Sequence, residues 1–125
     1  TQPKWFCRAE APELADPAWR ADIEVITLRC APFSMANRYY PRGRAAALAE
    51  LQAVMEGVRA RGPELVIYEN TRGLWRERDT RLQVEAILRT TCADYEWESS
   101  VVDPARHLGV PVQRARVFYV GVRRQ

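Results

Sequence analysis

The chain has 125 residues, 47% hydrophobic and 28% charged, enough for one domain with its own core. Its 19 Lys and Arg against 16 Asp and Glu leave a formal charge of +3, too mild to assign a nucleic-acid partner by itself. No apolar run approaches the roughly 18 residues of a membrane span, and the start, TQPKWFCRAEAPE, has no signal-peptide core.

Cys7, Cys30 and Cys92 are odd in number and widely spaced. That fits neither a disulfide framework nor a zinc site, and the expected setting is a reducing, cytoplasmic one. Lys4 is the only lysine. Arginines therefore carry the positive charge, and their planar forks suit phosphates and bases.

In chain order, prolines 3, 12 and 17 make residues 1–20 an irregular N-terminal segment. Residues 22–29 read as a strand. Ile23, Val25, Ile26 and Leu28 make it apolar on both faces, as in a parallel strand covered by helices. Residues 31–43 form a loop, and Arg38, Tyr39, Tyr40, Arg42 and Arg44 in and just after it are a mixture that suits either nucleic-acid contact or a plain polar surface.

Leu48, Leu51, Met55 and Val58 repeat at helical spacing and predict a helix over 44–61, stopped by Gly62-Pro63. Residues 64–69 are a second buried strand. Thr80 to Gln83 fits a capping box opening a helix over 80–91, with Val84, Ile87 and Leu88 inward. Residues 95–102 and 115–122 read as strands around a connection that holds His107, the only histidine, to which no role is assigned.

Strand, helix, strand, helix and two closing strands give an α/β layout ending in an antiparallel pair. Ligands in such sheets lie beyond the carboxyl ends of the parallel strands. Cys30 follows the first strand, and Glu69 and Asn70 close the second, so two candidates for chemistry meet at one rim. Taken singly, each has a plainer reading: Cys30 as a small buried residue, Glu69 as a strand-end carboxylate, Arg114 and Arg116 as a solvated strand face.

Three motifs bear on that choice: RCAPFS at 29–34, YENTRGL at 68–74 and GVPVQRARVFYVG at 109–121. In this order they resemble the proline-cysteine, Glu-Asn-Val and Gln-x-Arg-x-Arg motifs of the cytosine-5 DNA methyltransferases, over roughly residues 21–122. The resemblance implies a partial Rossmann-like sheet of the S-adenosylmethionine-dependent methyltransferase type. Residues 21–125 would be the catalytic half-domain.

It implies that the Cys30 thiolate adds to carbon 6 of a flipped-out cytosine, making carbon 5 nucleophilic towards the methyl of S-adenosylmethionine. Glu69 would hydrogen-bond or protonate ring nitrogen 3. Arg114 and Arg116 would contact the base or orient Glu69 and the cysteine loop. Phe33, Ser34 and Asn70 would shape the substrate site.

The family pattern changes at Arg29, Ala31, Thr71 and Val112, where it has proline, glutamine, valine and glutamine. An arginine beside a cysteine either favours the thiolate or crowds the pocket that the proline shapes. The glycine-rich donor-binding segment has no counterpart before Gly43, so no cofactor-binding residue is assigned. A target-recognition region has no counterpart after the arginine strand. The resulting expectation is a split enzyme acting on DNA, with a second protein chain completing the S-adenosylmethionine site and reading the target. A catalytically inactive scaffold or regulatory subunit is the alternative, and a transfer-RNA cytosine-5 methyltransferase is another.

Overall fold

A computed structural model describes residues 20–28, 41–71, 73, 77–109, 111 and 115–125, with only the backbone of 41–43. The elements run β1 (Ile23–Thr27), α1 (Pro41–Arg61), β2 (Leu65–Thr71), α2 (Arg78–Thr91), β3 (Tyr95–Val102), α3 (Pro104–His107) and β4 (Arg116–Arg123).

The strands form one sheet in the order β1-β2-β4-β3. β1 and β2 are parallel, and α1 supplies the crossover such a pair requires, with Ile23 opposite Leu65 and Thr27 opposite Glu69. β4 returns between β2 and β3, antiparallel to both. The predicted α/β class and closing antiparallel pair are therefore present.

Strand side chains alternate, so register and burial divide the sheet into two faces. One carries Ile26, Val66, Tyr68, Val117 and Tyr119, packed with Leu51, Met55 and Val58 of α1 and Val84 and Leu88 of α2. Leu51, Met55 and Val58 are fully buried. Each such side chain contributes about 1.5–3 kcal/mol through burial. Gly62 ends α1 at φ +65°, the left-handed geometry that favours glycine, and its N–H donates to the Val58 carbonyl at 2.8 Å.

The structure departs from the sequence reading in four places. α1 starts at Pro41 rather than 44, because proline's fixed φ and missing N–H are tolerated at a first helical position. α2 starts at Arg78 after Glu77, so Thr80 lies inside the helix. Instead of capping, its hydroxyl donates to the Glu77 carboxylate at 3.1 Å. β2 continues through Thr71, which places Glu69 and Asn70 within the strand's last three residues.

β1 differs most. Glu24, not an apolar side chain, joins Ile26 on the helix side, where Arg61 donates to both its carboxylate oxygens at 2.7 and 2.9 Å. Ile23 and Val25 lie on the other face, 56% and 65% exposed. Among the described residues no helix covers that face.

Candidate functional site at the carboxyl ends of β1 and β2

Glu69 belongs to the sheet face opposite the helices. It lies beside Thr27 of β1 and Phe118 of β4 in register. Arg116, opposite Thr71, is its diagonal neighbour across β2 and β4. The Arg116 Nε lies 3.1 Å from Glu69 Oε1, with side chains 24% and 19% exposed. A second guanidinium nitrogen, Nη1, donates to the Ala115 carbonyl at 3.0 Å. The pair is thus half-buried, and the arginine is aimed by its own backbone as well as by the carboxylate.

Asn70 points the other way, into the helix side, and is 1% exposed. Its Nδ2 donates to the Tyr68 hydroxyl at 2.8 Å, while its Oδ1 accepts from the Thr71 N–H at 2.7 Å. These bonds satisfy an amide that would otherwise be costly to bury. They also fix the strand end on which Glu69 sits. Tyr68 stacks on Tyr119, with ring centroids 6.1 Å apart, and burial raises its hydroxyl pKa well above the ordinary tyrosine value.

The structure therefore brings Glu69 and Arg116 together and holds Asn70 beneath them. Cys30, Phe33, Ser34 and Arg114 lie outside the described residues, as do Arg29 and the tyrosine pair at 39 and 40. The chain reaches Cys30 three residues after Thr27, the strand neighbour of Glu69.

Cys92 is 1% exposed and its thiol donates to the Met55 carbonyl at 3.4 Å. Burial pushes its pKa up to about 11, so at neutral pH it is a protonated thiol and a poor nucleophile. His107 is exposed, and its Nδ1 accepts from the Asp103 N–H at 2.9 Å, a local contact. A depression between α2 and β3, lined by Glu85, Arg89, Trp97 and Tyr119 among others, is only water-sized. It faces the helix side, away from Glu69.

Two features escaped the sequence reading. One is the Tyr68–Asn70 bond. Its signal was present: a tyrosine in a buried strand needs a partner, and a residue two positions on shares its face. The other is the contact of Arg44, which the sequence reading grouped with the residues suited to nucleic acid but which turns inward at the start of α1. Arg44 contacts the Glu77 carboxylate and donates to the Thr80 hydroxyl at 3.4 Å. No spacing rule links positions 36 residues apart, so this contact had no sequence signature.

Comparison with known proteins adds the following. The sequence pattern of the C-5 cytosine-specific DNA methylases matches residues 20–125. A search of curated proteins finds no match. Among solved structures, a protein assigned as a DNA modification methyltransferase, encoded within an E. coli prophage, superposes with a TM-score of 0.56 at 20% identity. The match covers 84% of this chain and 27% of that one. The S. pombe Dnmt2 methyltransferase gives 0.55 at 16% identity, covering 88% of this chain and 33% of that one. The chain thus spans a third or less of these structures, and at such identities the likeness shows the fold alone.

Proposed function

The chain belongs to the C-5 cytosine-specific DNA methylase family, and from that premise we propose that it is the catalytic central block of a cytosine-5 DNA methyltransferase completed by a second polypeptide. The observation that carries this reading is the Glu69–Arg116 pair at the carboxyl end of β2, beside the strand end that leads to Cys30. A nucleophile, an acid and a guanidinium then share one rim of the sheet.

The Cys30 thiolate adds to carbon 6 of an extruded cytosine, forming the sulfur–carbon bond and pushing the ring electrons towards nitrogen 3. Glu69 receives that change by hydrogen bonding or proton donation at nitrogen 3. Arg116 orients the Glu69 carboxyl, and Arg114 acts with it on the base or its backbone. Phe33 and Ser34 line the pocket, and Asn70 steadies its floor. S-adenosylmethionine, once held by the completed assembly, would supply the methyl group to carbon 5 and leave as S-adenosylhomocysteine. Transfer of the carbon 5 proton to water would then let the Cys30 thiolate leave carbon 6 and restore the ring.

Among the described residues the rim offers Thr27, Glu69, Thr71 and Arg116. In this reading the donor site and target reader belong to the second polypeptide, and residues 21–125 to the catalytic half. Polarity across the open face supports this assignment. Ile23, Val25 and Val122 are more than half exposed there, whereas the β3 end of the same face carries Glu96, Glu98 and Ser100. Parallel strands are buried on both faces in folded domains. The apolar side around β1 thus suits protein contact, and the β3 side suits water.

The alternative, an inactive scaffold or regulatory subunit, draws on Arg29 and on a Glu69 carboxylate already engaged by Arg116. Trapping separates the two. An oligonucleotide containing 5-fluorocytosine, with S-adenosylmethionine and the co-purifying partner, is expected to form a covalent adduct mapped to Cys30, and C30S abolishes it. Absence of an adduct with every co-purifying partner favours the scaffold. An RNA oligonucleotide in parallel tests the transfer-RNA reading.

A further inference from the structure

α1 and α2 lie side by side on the helix face and are tied at two points. Near their C-terminal halves, Gln52 Nε2 donates to the Thr91 hydroxyl at 2.9 Å. At their N-termini, Arg44 contacts the Glu77 carboxylate and donates to Thr80 Oγ1 at 3.4 Å, while Thr80 itself donates to Glu77 at 3.1 Å. Arg44 is only 13% exposed and Thr80 is 4% exposed, while Glu77 is 43% exposed and closes the contact on the solvent side.

Its position gives it meaning. The crossover from β1 to α1 contains Cys30, and the crossover from β2 to α2 starts directly after Glu69, Asn70 and Thr71. Each crossover ends at one of the two helix N-termini that the contact joins. Fixing those N-termini to each other fixes the far ends of both crossovers, whose near ends are already set by the β1–β2 register of Thr27 with Glu69.

We propose that Arg44, Glu77 and Thr80 are positioning residues, a clasp that sets the nucleophile-bearing crossover against the Glu69 strand end. None of the three touches the substrate. The effect is one of orientation: small displacements of a reacting group cost much more rate than binding. The proposal rests on the functional reading above, in which Cys30 and Glu69 act on one base.

The test compares R44A, E77A and the reversal R44E/E77R with Q52A, which cuts the other tie. Methyl transfer is measured in the complex with its partner. The alkylation rate of Cys30 by iodoacetamide is measured separately in the chain alone, with Cys7 and Cys92 resolved by peptide mapping. R44A and E77A are expected to lower kcat about tenfold with KM for DNA within twofold, and to change Cys30 alkylation at least threefold. The reversal restores most of both, and Q52A alters neither even where its thermal destabilisation matches that of R44A. Unchanged kcat and alkylation in R44A and E77A, or equal effects from Q52A, overturn the clasp. A wild-type complex that never transfers methyl, with alkylation still responding to R44A, overturns the functional reading and leaves the clasp standing.

Discussion

Glu69 and Arg116 can be separated experimentally because their chemistry differs. E69Q keeps shape and hydrogen-bonding capacity but removes the proton donor, and a general acid contributes about 10²–10⁴-fold to rate. E69Q is expected to lower kcat within that range with little change in DNA binding, read in single-turnover methyl transfer. R116K retains charge but loses the planar fork that reaches both Glu69 and the Ala115 carbonyl, and so falls well short of wild type. Equal activity of E69Q and wild type contradicts the acid assignment. At this scale the sequence was most informative where a residue's chemistry is carried by its motif. Glu69 and Arg116 each belong to a motif, and the structure sets them 3.1 Å apart. The inward turn of Asn70 was not legible in the sequence, because strand alternation sends neighbours to opposite faces and β2 runs two residues further than its apolar pattern indicates.

At the scale of elements, α1 and α2 carry the core. L51A should cost about 2–5 kcal/mol, measured by denaturant unfolding, because Leu51 is fully enclosed between helix and sheet. Gly57 is a more specific test. A Cβ there would meet Arg61 Nη1 at 2.9 Å, the same guanidinium that holds Glu24 of β1. G57A is therefore expected to loosen β1 and destabilise, although alanine is the better helix former by about 1 kcal/mol; a stabilised G57A would contradict this packing.

The clasp has a pH signature of its own. The Arg44 bond holds the Glu77 carboxyl below its ordinary value of 4.5, against an opposing push from partial desolvation and with a smaller pull from the Thr80 bond. A depressed carboxyl pKa gives stability that is complete above the unfolded value and is lost as pH falls through the folded one. With Glu77 43% exposed, the contribution is at most about 1 kcal/mol. The stability difference between wild type and E77Q should accordingly shrink below about pH 4.5, in acid titrations of thermal unfolding.

Periodicity made the elements legible: the α1 stripe, the glycine stop and the strand at 95–102 all stand where apolar spacing put them. The missed boundaries have non-periodic causes: proline's tolerance at a first helical position for Pro41, the contacts of Glu77 with Arg44 and Thr80, and the pairing of β2 with β4 out to Thr71 opposite Arg116. Glu24 shows the same limit. A charged residue inside an apolar strand reads as solvent-facing until Arg61, 37 positions away, is known to meet it.

For the whole molecule, the sheet is apolar and open around β1, polar at β3, and chemically equipped at one rim. I23D, on the open face at the end of β1 away from Glu69, should weaken association with the proposed completing polypeptide at least tenfold while leaving the free chain folded, as read by sedimentation and circular dichroism. Undiminished association would place the partner elsewhere. The antiparallel insertion of β4 beside β2 was not fixed by the sequence pattern, which showed two closing strands but not their order. That order is what carries Arg116 to Glu69.

The most direct measurement is a crystal structure of the complex trapped on 5-fluorocytosine DNA. The account predicts a bond from the Cys30 sulfur to carbon 6, the Glu69 carboxyl about 3 Å from nitrogen 3, and Arg116 still against that carboxyl. A base bound with its carbon 6 remote from Cys30, or with Glu69 turned away from the ring, would contradict it.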